Sequence, residues 1–259
     1  MKRREWEAVA EGLAAAALCL APLLLGMVHL PAILLISALG WLALAVLVAA
    51  KGREPLRLGW FPWALLAFAF GIGLQLLPLP MEAVRLLSPE AARLFELTLG
   101  PEPGPRPLSL DLPATWAALV KALGMAAVAA VLHHRALTTP KGRRRLRIYL
   151  VATAAAVILL GLLHFLLQEK QRFLGLYTFR VSHRFRTSFG NANHLAGFLS
   201  LGGLVALGMA LHARALRERL VYLAVFLGAG AGVFLSASRG GFLGFAAGLF
   251  LFGAIAWIA

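Results

Sequence analysis

Charged residues are scarce in this sequence, and acidic ones are the scarcest. Only 14% of the 259 residues are charged, and 11 acidic residues stand against 25 lysines and arginines. Soluble domains have about 25% charged residues. A chain with 61% hydrophobic residues and a mean hydropathy of +0.82 is therefore not an ordinary soluble domain. The sequence predicts an integral membrane protein.

Residues and motifs typical of metal, disulfide or nucleotide chemistry are also missing. Cys19 is the single cysteine, and it lies within an apolar run, so it offers neither a disulfide nor a metal site. The seven histidines show no zinc-site spacing, and the chain has no Walker loop, no dinucleotide fingerprint and no nucleophile elbow. The sequence therefore predicts no metal and no cofactor.

The formal net charge of +14 would suggest nucleic-acid binding in a soluble protein. Here most basic residues lie between long hydrophobic segments, where membrane topology explains them. We therefore expect no nucleic-acid partner.

Long apolar runs recur along the whole chain. About 20 apolar residues cross the hydrocarbon core of a bilayer, and eight runs come close to that length. They indicate an all-α, polytopic bundle that forms one transmembrane domain over residues 1–259, with these spans: residues 11–29, 31–50, 60–77, 114–132, 148–167, 194–212, 220–236 and 241–259.

The distribution of basic residues between these spans predicts their orientation. Most lysines and arginines fall on the side that carries the N-terminus, and cytoplasmic loops are the ones enriched in these residues. We therefore expect a cytoplasmic N-terminus. In the first outer loop, Ser88, Pro89 and Glu90 are typical of a helix start, with Ser88 as the N-cap. The sequence predicts a short helix from there to about Gly100, lying along the membrane surface.

The outer loop over residues 168–193 departs from this charge rule. It carries five basic residues and a single acidic residue, Glu169. Guanidinium groups bind phosphate through a planar fork of donors, so a phosphorylated lipid headgroup is one expected partner. The alternative is that these residues anchor helix ends to ordinary anionic lipid. The basic residues are Lys170, Arg172, Arg180, Arg184 and Arg186.

Five short motifs resemble those of the O-antigen ligase and polymerase superfamily, in the same order and membrane setting. They are "LQLLPLP" at residues 74–80, "LSPE" at 87–90, "PLSLDLPAT" at 107–115, "RFRTSFGNANHLAGFL" at 184–199 and "LSASRGG" at 235–241. The resemblance implies an enzyme of the bacterial inner membrane, active in lipopolysaccharide biosynthesis. Such enzymes transfer a glycan from undecaprenyl pyrophosphate to lipid A core, to a growing polymer or to a protein hydroxyl.

The same resemblance implies roles for individual residues. It assigns Arg184 and Arg239 to the donor pyrophosphate as catalytic residues, with Arg186 as a second candidate beside Arg184. Two positions depart from the usual family pattern, since Thr187 stands where glycine is common and Ala192 where proline is common.

Polar residues at the two predicted helix starts are further candidates for substrate binding. Asn191 and Asn193 can cap a helix or bind an anion, and capping is the more common role. His194 is either a base or a hydrogen-bonded structural residue. Ser238 either contacts substrate or, like Ser236, bonds carbonyls of the preceding turn.

The last apolar run reaches Ala259 without a flanking charge, so we expect the chain to be the N-terminal part of a longer bundle. In the resembled family a later outer loop supplies a histidine that activates the acceptor. The main hypothesis is an O-antigen ligase-like glycosyltransferase. The alternatives are a polymerase, a protein O-oligosaccharyltransferase, an anionic-lipid transporter, or a truncated lipid-binding protein without catalytic activity. The oligomeric state is not predicted.

Overall fold

The computed structural model describes residues 3–100, 104–167 and 187–258. Within these ranges the chain forms ten α-helices and no strand, which confirms the all-α prediction. The contacts between helices divide the chain into two compact units. The first unit comprises Met1–Ala14 and Ile33–His134, and the second comprises Ala15–Ala32 and Arg135–Ala259.

Helices α1, α2, α3 and α6 overlap the first four predicted spans, and α4 and α5 lie in the loop between α3 and α6. Helix α1 starts in the first unit and continues into the second, and α6 ends a few residues beyond the first unit. A short 3-10 turn over Leu25–Met27 follows α1. The bounds are α1 Arg3–Leu23, α2 Leu30–Lys51, α3 Trp60–Leu74, α4 Met81–Leu87, α5 Pro89–Leu99 and α6 Leu112–Thr138.

Small residues bring α2 and α6 into close contact within the first unit. The Ser37 hydroxyl donates a hydrogen bond to the carbonyl of Val120 at 3.2 Å. A Cβ added at Gly124 would lie 2.4 Å from Ser37 Oγ, and one added at Gly40 would lie 2.7 Å from the Gly124 carbonyl oxygen. This packing of backbone against backbone is typical of membrane helices, where small residues allow close approach.

The loop predicted to carry a surface helix contains two short helices. Helix α5 begins at Pro89 and ends at Leu99, followed by Gly100 with φ +99°, so the predicted helix is confirmed. Ser88 is the N-cap residue of α5, as predicted, although its side chain makes no capping bond. Ser88 also closes α4, because its backbone N–H donates to the Val84 carbonyl at 2.8 Å.

Helix α4 has no counterpart in the sequence prediction. It packs against α5 through a small cluster of buried apolar side chains, which holds the two helices together. The cluster consists of Met81, Val84, Ala91 and Ala92.

The second unit contains four long helices that alternate in direction. Glycines again set their spacing. A Cβ added at Gly202 of α8 would lie 2.5 Å from the Cβ of Ala154 in α7, and one at Gly203 would lie 2.9 Å from that of Ala229 in α9. The helices are α7 Gly142–Leu166, α8 Ala192–His212, α9 Leu216–Leu235 and α10 Arg239–Ile258.

Two clusters of buried apolar side chains fill this bundle at different levels along its helices. One joins the first half of α7 to the second half of α8 and the middle of α9. The other joins the middle of α7, the first half of α8, the end of α9 and the first half of α10. Helices α8 and α10 therefore begin at one end of the bundle, whereas α7 and α9 begin at the other. At that other end, the exposed side chains of Arg144 and Glu218 form an ion pair at 3.4 Å.

Lengths and compositions of the helices agree with a multi-pass membrane protein. Six helices in the described ranges are long and apolar enough to cross a membrane: α1, α2, α6, α7, α8 and α9. Helix α3 and the described apolar part of α10 are shorter. Each of the eight predicted spans thus coincides with a helix.

Candidate functional site

Five of the seven predicted site residues lie where α8 and α10 begin, at one end of the second unit. They are Asn191, Asn193 and His194 at the start of α8, with Ser238 and Arg239 at the start of α10. Arg184 and Arg186 lie outside the described residues. The site can therefore be built from the two helix starts.

Asn191 caps α8. Its backbone is extended, with φ −123° and ψ 123°, and its Oδ1 accepts a hydrogen bond from the backbone N–H of Asn193 at 2.8 Å. An asparagine in this position satisfies one of the N–H groups that have no partner within the helix. The capping role predicted for Asn191 is confirmed.

Ser236 and Ser238 stabilise the turn before α10 through different hydrogen bonds. Ser236 Oγ donates to the carbonyl of Val233 at 2.6 Å and accepts from the backbone N–H of Ser238 at 3.2 Å. Between them Ala237 has φ +57°, a left-handed conformation that is uncommon for a residue with a Cβ. Ser236 therefore bonds a carbonyl of the preceding turn, as predicted.

Ser238 caps α10 and does not follow that pattern. Its Oγ accepts a hydrogen bond from the backbone N–H of Gly241 at 2.9 Å. The same Oγ donates to the Oδ1 of Asn193 at 2.7 Å, across 45 positions of sequence. The bond connects the two motifs that contain the predicted site residues.

Close packing at the same point explains how that bond forms. Gly241 lies against α8, where an added Cβ would be 2.2 Å from the Cβ of Ala196 and 2.8 Å from Ser238 Oγ. Any larger residue at 241 would push the two helix starts apart. The pair of small residues, Gly241 and Ala196, therefore sets the distance at which Ser238 reaches Asn193.

Two helix starts side by side create a positively polarised surface. Each helix start carries backbone N–H groups and a partial positive charge. Arg239, the first residue of α10, is exposed, as are Asn193 and His194 in the first turn of α8. This arrangement suits a bound anion.

An apolar groove begins beside Arg239. It has a volume of about 400 Å³, and its walls come from the end of α9 and the first turns of α10. Three of its large apolar side chains are exposed: Phe234 is 71% exposed, Phe242 51% and Leu243 68%. The remaining lining residues are Ala237, Ser238 and Arg239. A cationic residue at the edge of an apolar groove matches an amphiphile with an anionic head.

The segment leading into α8 contains two buried residues that were not predicted to be site residues. Thr187 and Ser188 are fully buried, and Thr187 Oγ1 accepts from the backbone N–H of Phe189 at 3.3 Å. The Phe189 ring packs on Phe198, with ring centroids 5.4 Å apart. Within the described chain, Ser188 Oγ is a buried atom without a hydrogen-bond partner. The sequence signal that could have indicated this buried segment is "TSF" at 187–189, two small polar residues followed by an aromatic one.

Among the residues that the structure describes, no three His, Cys, Asp or Glu side chains come together in a way that could hold a metal ion. Comparisons with protein-family models, with curated proteins and with solved structures found no match. Fold and site together define a multi-pass helical membrane protein with a polar site at the starts of α8 and α10.

Proposed function

We propose that this protein is an O-antigen ligase-like glycosyltransferase that binds a polyprenyl pyrophosphate-linked glycan where α8 and α10 begin. The observation that carries the proposal is the hydrogen bond from Ser238 to Asn193. It joins the motif "RFRTSFGNANHLAGFL" to the motif "LSASRGG", which the family resemblance assigns to one pyrophosphate site.

Charge distribution in the second unit supports an outward-facing site. Arg239 lies at the opposite end of the bundle from the starts of α7 and α9, where many basic residues are found. By the excess of lysine and arginine in cytoplasmic loops, that basic end is cytoplasmic in our proposal. Arg239 then faces the outer side of the bacterial inner membrane. The basic residues are Lys141, Arg143, Arg144, Arg145, Arg147, Arg214, Arg217 and Arg219.

The residues suit the charge changes of glycan transfer. The acceptor hydroxyl gives its proton to a base, which in the resembled family is a histidine of a later outer loop. Its oxygen forms a new bond to the anomeric carbon as the bond from that carbon to the pyrophosphate oxygen breaks. Negative charge then accumulates on the leaving pyrophosphate. Fixed donors aimed at such charge commonly contribute about 3 to 4 kcal/mol each to lowering the barrier. Arg239 supplies such a donor, and the proposal adds Arg184 and Arg186 to it. Lipid A core is the acceptor that the ligase resemblance implies.

The apolar groove beside Arg239 supports a lipid-linked donor. Phe234, Phe242 and Leu243 offer an apolar surface to an isoprenoid chain next to the guanidinium group. The departure from the family pattern at Ala192 is compatible with the proposal, because Ala192 is the first residue of α8. Proline is common at this helix position, and alanine has the highest helix propensity.

The test is binding of farnesyl pyrophosphate to the purified protein in lipid nanodiscs, compared with farnesol and inorganic pyrophosphate. Arg239→Ala should weaken farnesyl pyrophosphate binding at least about tenfold, since a charge-assisted hydrogen bond is lost. Arg217→Ala removes an exposed arginine from the first turn of α9, at the other end of the bundle, and should bind normally.

Equal affinities of the Arg239→Ala variant and the unaltered protein would overturn the proposal. Farnesol binding as tight as farnesyl pyrophosphate would reject the pyrophosphate as the recognised group. Tight binding of inorganic pyrophosphate without any gain from the farnesyl chain would reject a lipid-linked donor.

A further inference from the structure

The hydrogen bonds of Ser238 orient the side-chain amide of Asn193. Ser238 is 5% exposed, so its hydroxyl must find its partners within the protein. The backbone N–H of Gly241 donates to Ser238 Oγ at 2.9 Å and occupies one lone pair. The hydroxyl hydrogen then goes to Asn193 Oδ1, at 2.7 Å. Ser238 thus acts as an acceptor towards its own helix and as a donor towards α8.

This bond determines which way the Asn193 carboxamide faces. A carboxamide has an oxygen that accepts and a nitrogen that donates two hydrogen bonds. With Oδ1 turned to Ser238, the Nδ2 of Asn193 is turned away from it. The backbone N–H of Asn193 is already bonded to Asn191 Oδ1 at 2.8 Å. The Nδ2 group is therefore the polar part of this exposed residue that is oriented for an external ligand.

We infer that Asn193 Nδ2 donates to a phosphate oxygen of the bound pyrophosphate next to Arg239, and that Ser238 is the positioning residue that orients it. The inference rests on the proposed function. The sequence predicted that Asn193 and Ser238 both bind substrate, and the inference assigns them different roles. Asn193 contacts the ligand, whereas Ser238 acts through Asn193 and through its cap on α10.

The isosteric variant Asn193→Asp distinguishes a ligand contact from a purely structural role of Asn193. A purely structural role predicts unchanged ligand binding, whereas a ligand contact predicts weaker binding. Asn193→Asp keeps an oxygen where Ser238 donates, and a carboxylate accepts such a bond more strongly than an amide does. An acidic residue in the first turn of α8 is also favourable to the helix. The variant should therefore unfold at the same temperature as the unaltered protein or higher. It nevertheless lacks the Nδ2 donor and presents a negative charge to the ligand.

The experiment measures farnesyl pyrophosphate binding and thermal unfolding of the full chain in nanodiscs. Asn193→Asp should weaken binding by roughly ten- to a hundredfold, the effect of losing a hydrogen bond to a charged group, without lowering the unfolding temperature. The matched control is Asn191→Asp, which adds the same charge two residues earlier and still can cap α8. It should weaken binding about threefold, the effect expected of a screened surface charge.

A double-mutant cycle tests the positioning role of Ser238. Ser238→Ala should weaken binding more when Asn193 is present than in an Asn193→Ala background, where only the loss of its cap on α10 remains, because residues that act as one unit are not additive. Additive losses would overturn the positioning role. Equal losses in Asn193→Asp and Asn191→Asp, or normal binding by Asn193→Asp, would overturn the contact with Asn193. Either result combined with lost binding in Arg239→Ala would leave the proposed function intact.

Discussion

Adding one methyl group at Gly241 should separate the starts of α8 and α10, whereas adding it at Gly240 should not. A Cβ at 241 would meet Ala196 Cβ at 2.2 Å and Ser238 Oγ at 2.8 Å. At 240 no atom lies within 4 Å of the added Cβ. The two glycines are neighbours in the first turn of α10. Gly240→Ala is therefore a matched control for the effect of alanine on the helix itself.

The expected magnitude follows from these distances. Carbon atoms pack best about 3.5 to 4.0 Å apart, so α10 would have to move by more than about 1 Å at Gly241. Forcing an extra methyl into a packed site typically costs about 1 to 3 kcal/mol. Gly240→Ala should instead add up to about 1 kcal/mol of stability, because alanine is the better helix former. The two variants should thus differ by roughly 1 to 4 kcal/mol in the free energy of unfolding.

Thermal unfolding in one detergent, with farnesyl pyrophosphate binding measured in parallel, checks this expectation. Gly241→Ala should unfold at a lower temperature than the unaltered protein and bind more weakly, because Ser238 no longer reaches Asn193. Gly240→Ala should unfold at the same or a higher temperature with normal binding. A Gly241→Ala variant as stable as Gly240→Ala would refute the close packing of α8 on α10.

Two further predictions concern charge and topology. Hydrogen bonds from Arg3 and Lys51 lower the pKa of Glu54 from 4.5 to about 2. A lowered pKa stabilises the fold above the unfolded value, and this contribution disappears as the pH falls from about 4.5 to about 2. Glu54→Gln should therefore reduce the unfolding temperature slightly at about pH 6 and leave it unchanged near pH 2, and an equal reduction at both would contradict the ion pair. In a Cys19→Ser background, an impermeant thiol reagent applied outside the inner membrane should label Thr98→Cys and spare Arg217→Cys, and the reverse pattern would overturn the orientation.

Hydrophobic length predicted the helices well, but their ends depended on local chemistry. The sixth predicted span, residues 194–212, begins two residues late, because Asn191 caps α8 ahead of its apolar stretch. The fourth, residues 114–132, ends six residues early. There α6 continues through its polar end to Thr138, since residues 133–139 contain neither glycine nor proline and Pro140 follows. Hydropathy reports the apolar part of a helix, whereas caps and breakers set where the helix stops.

Contacts between distant parts of the chain were beyond sequence reasoning. The polar residues at the starts of α8 and α10 were named from their motifs, yet the bond from Ser238 to Asn193 depends on α9 returning the chain to the start of α8. Helix α4 was missed for a different reason. Its seven residues are too few to show a helical period, and its stability comes from packing on α5. A glycine such as Gly241 gives no hint of its neighbour until the helices are in place.

The groove beside Arg239 has exposed apolar walls, and this determines which lipid concentration sets its occupancy. Phe234, Phe242 and Leu243 are exposed apolar side chains on α9 and α10, so in our proposal the groove opens to the lipid of the membrane. A lipid reaches such a groove by diffusing within the bilayer. Its occupancy then follows the mole fraction of that lipid in the membrane, so adding inert lipid lowers it and adding buffer does not.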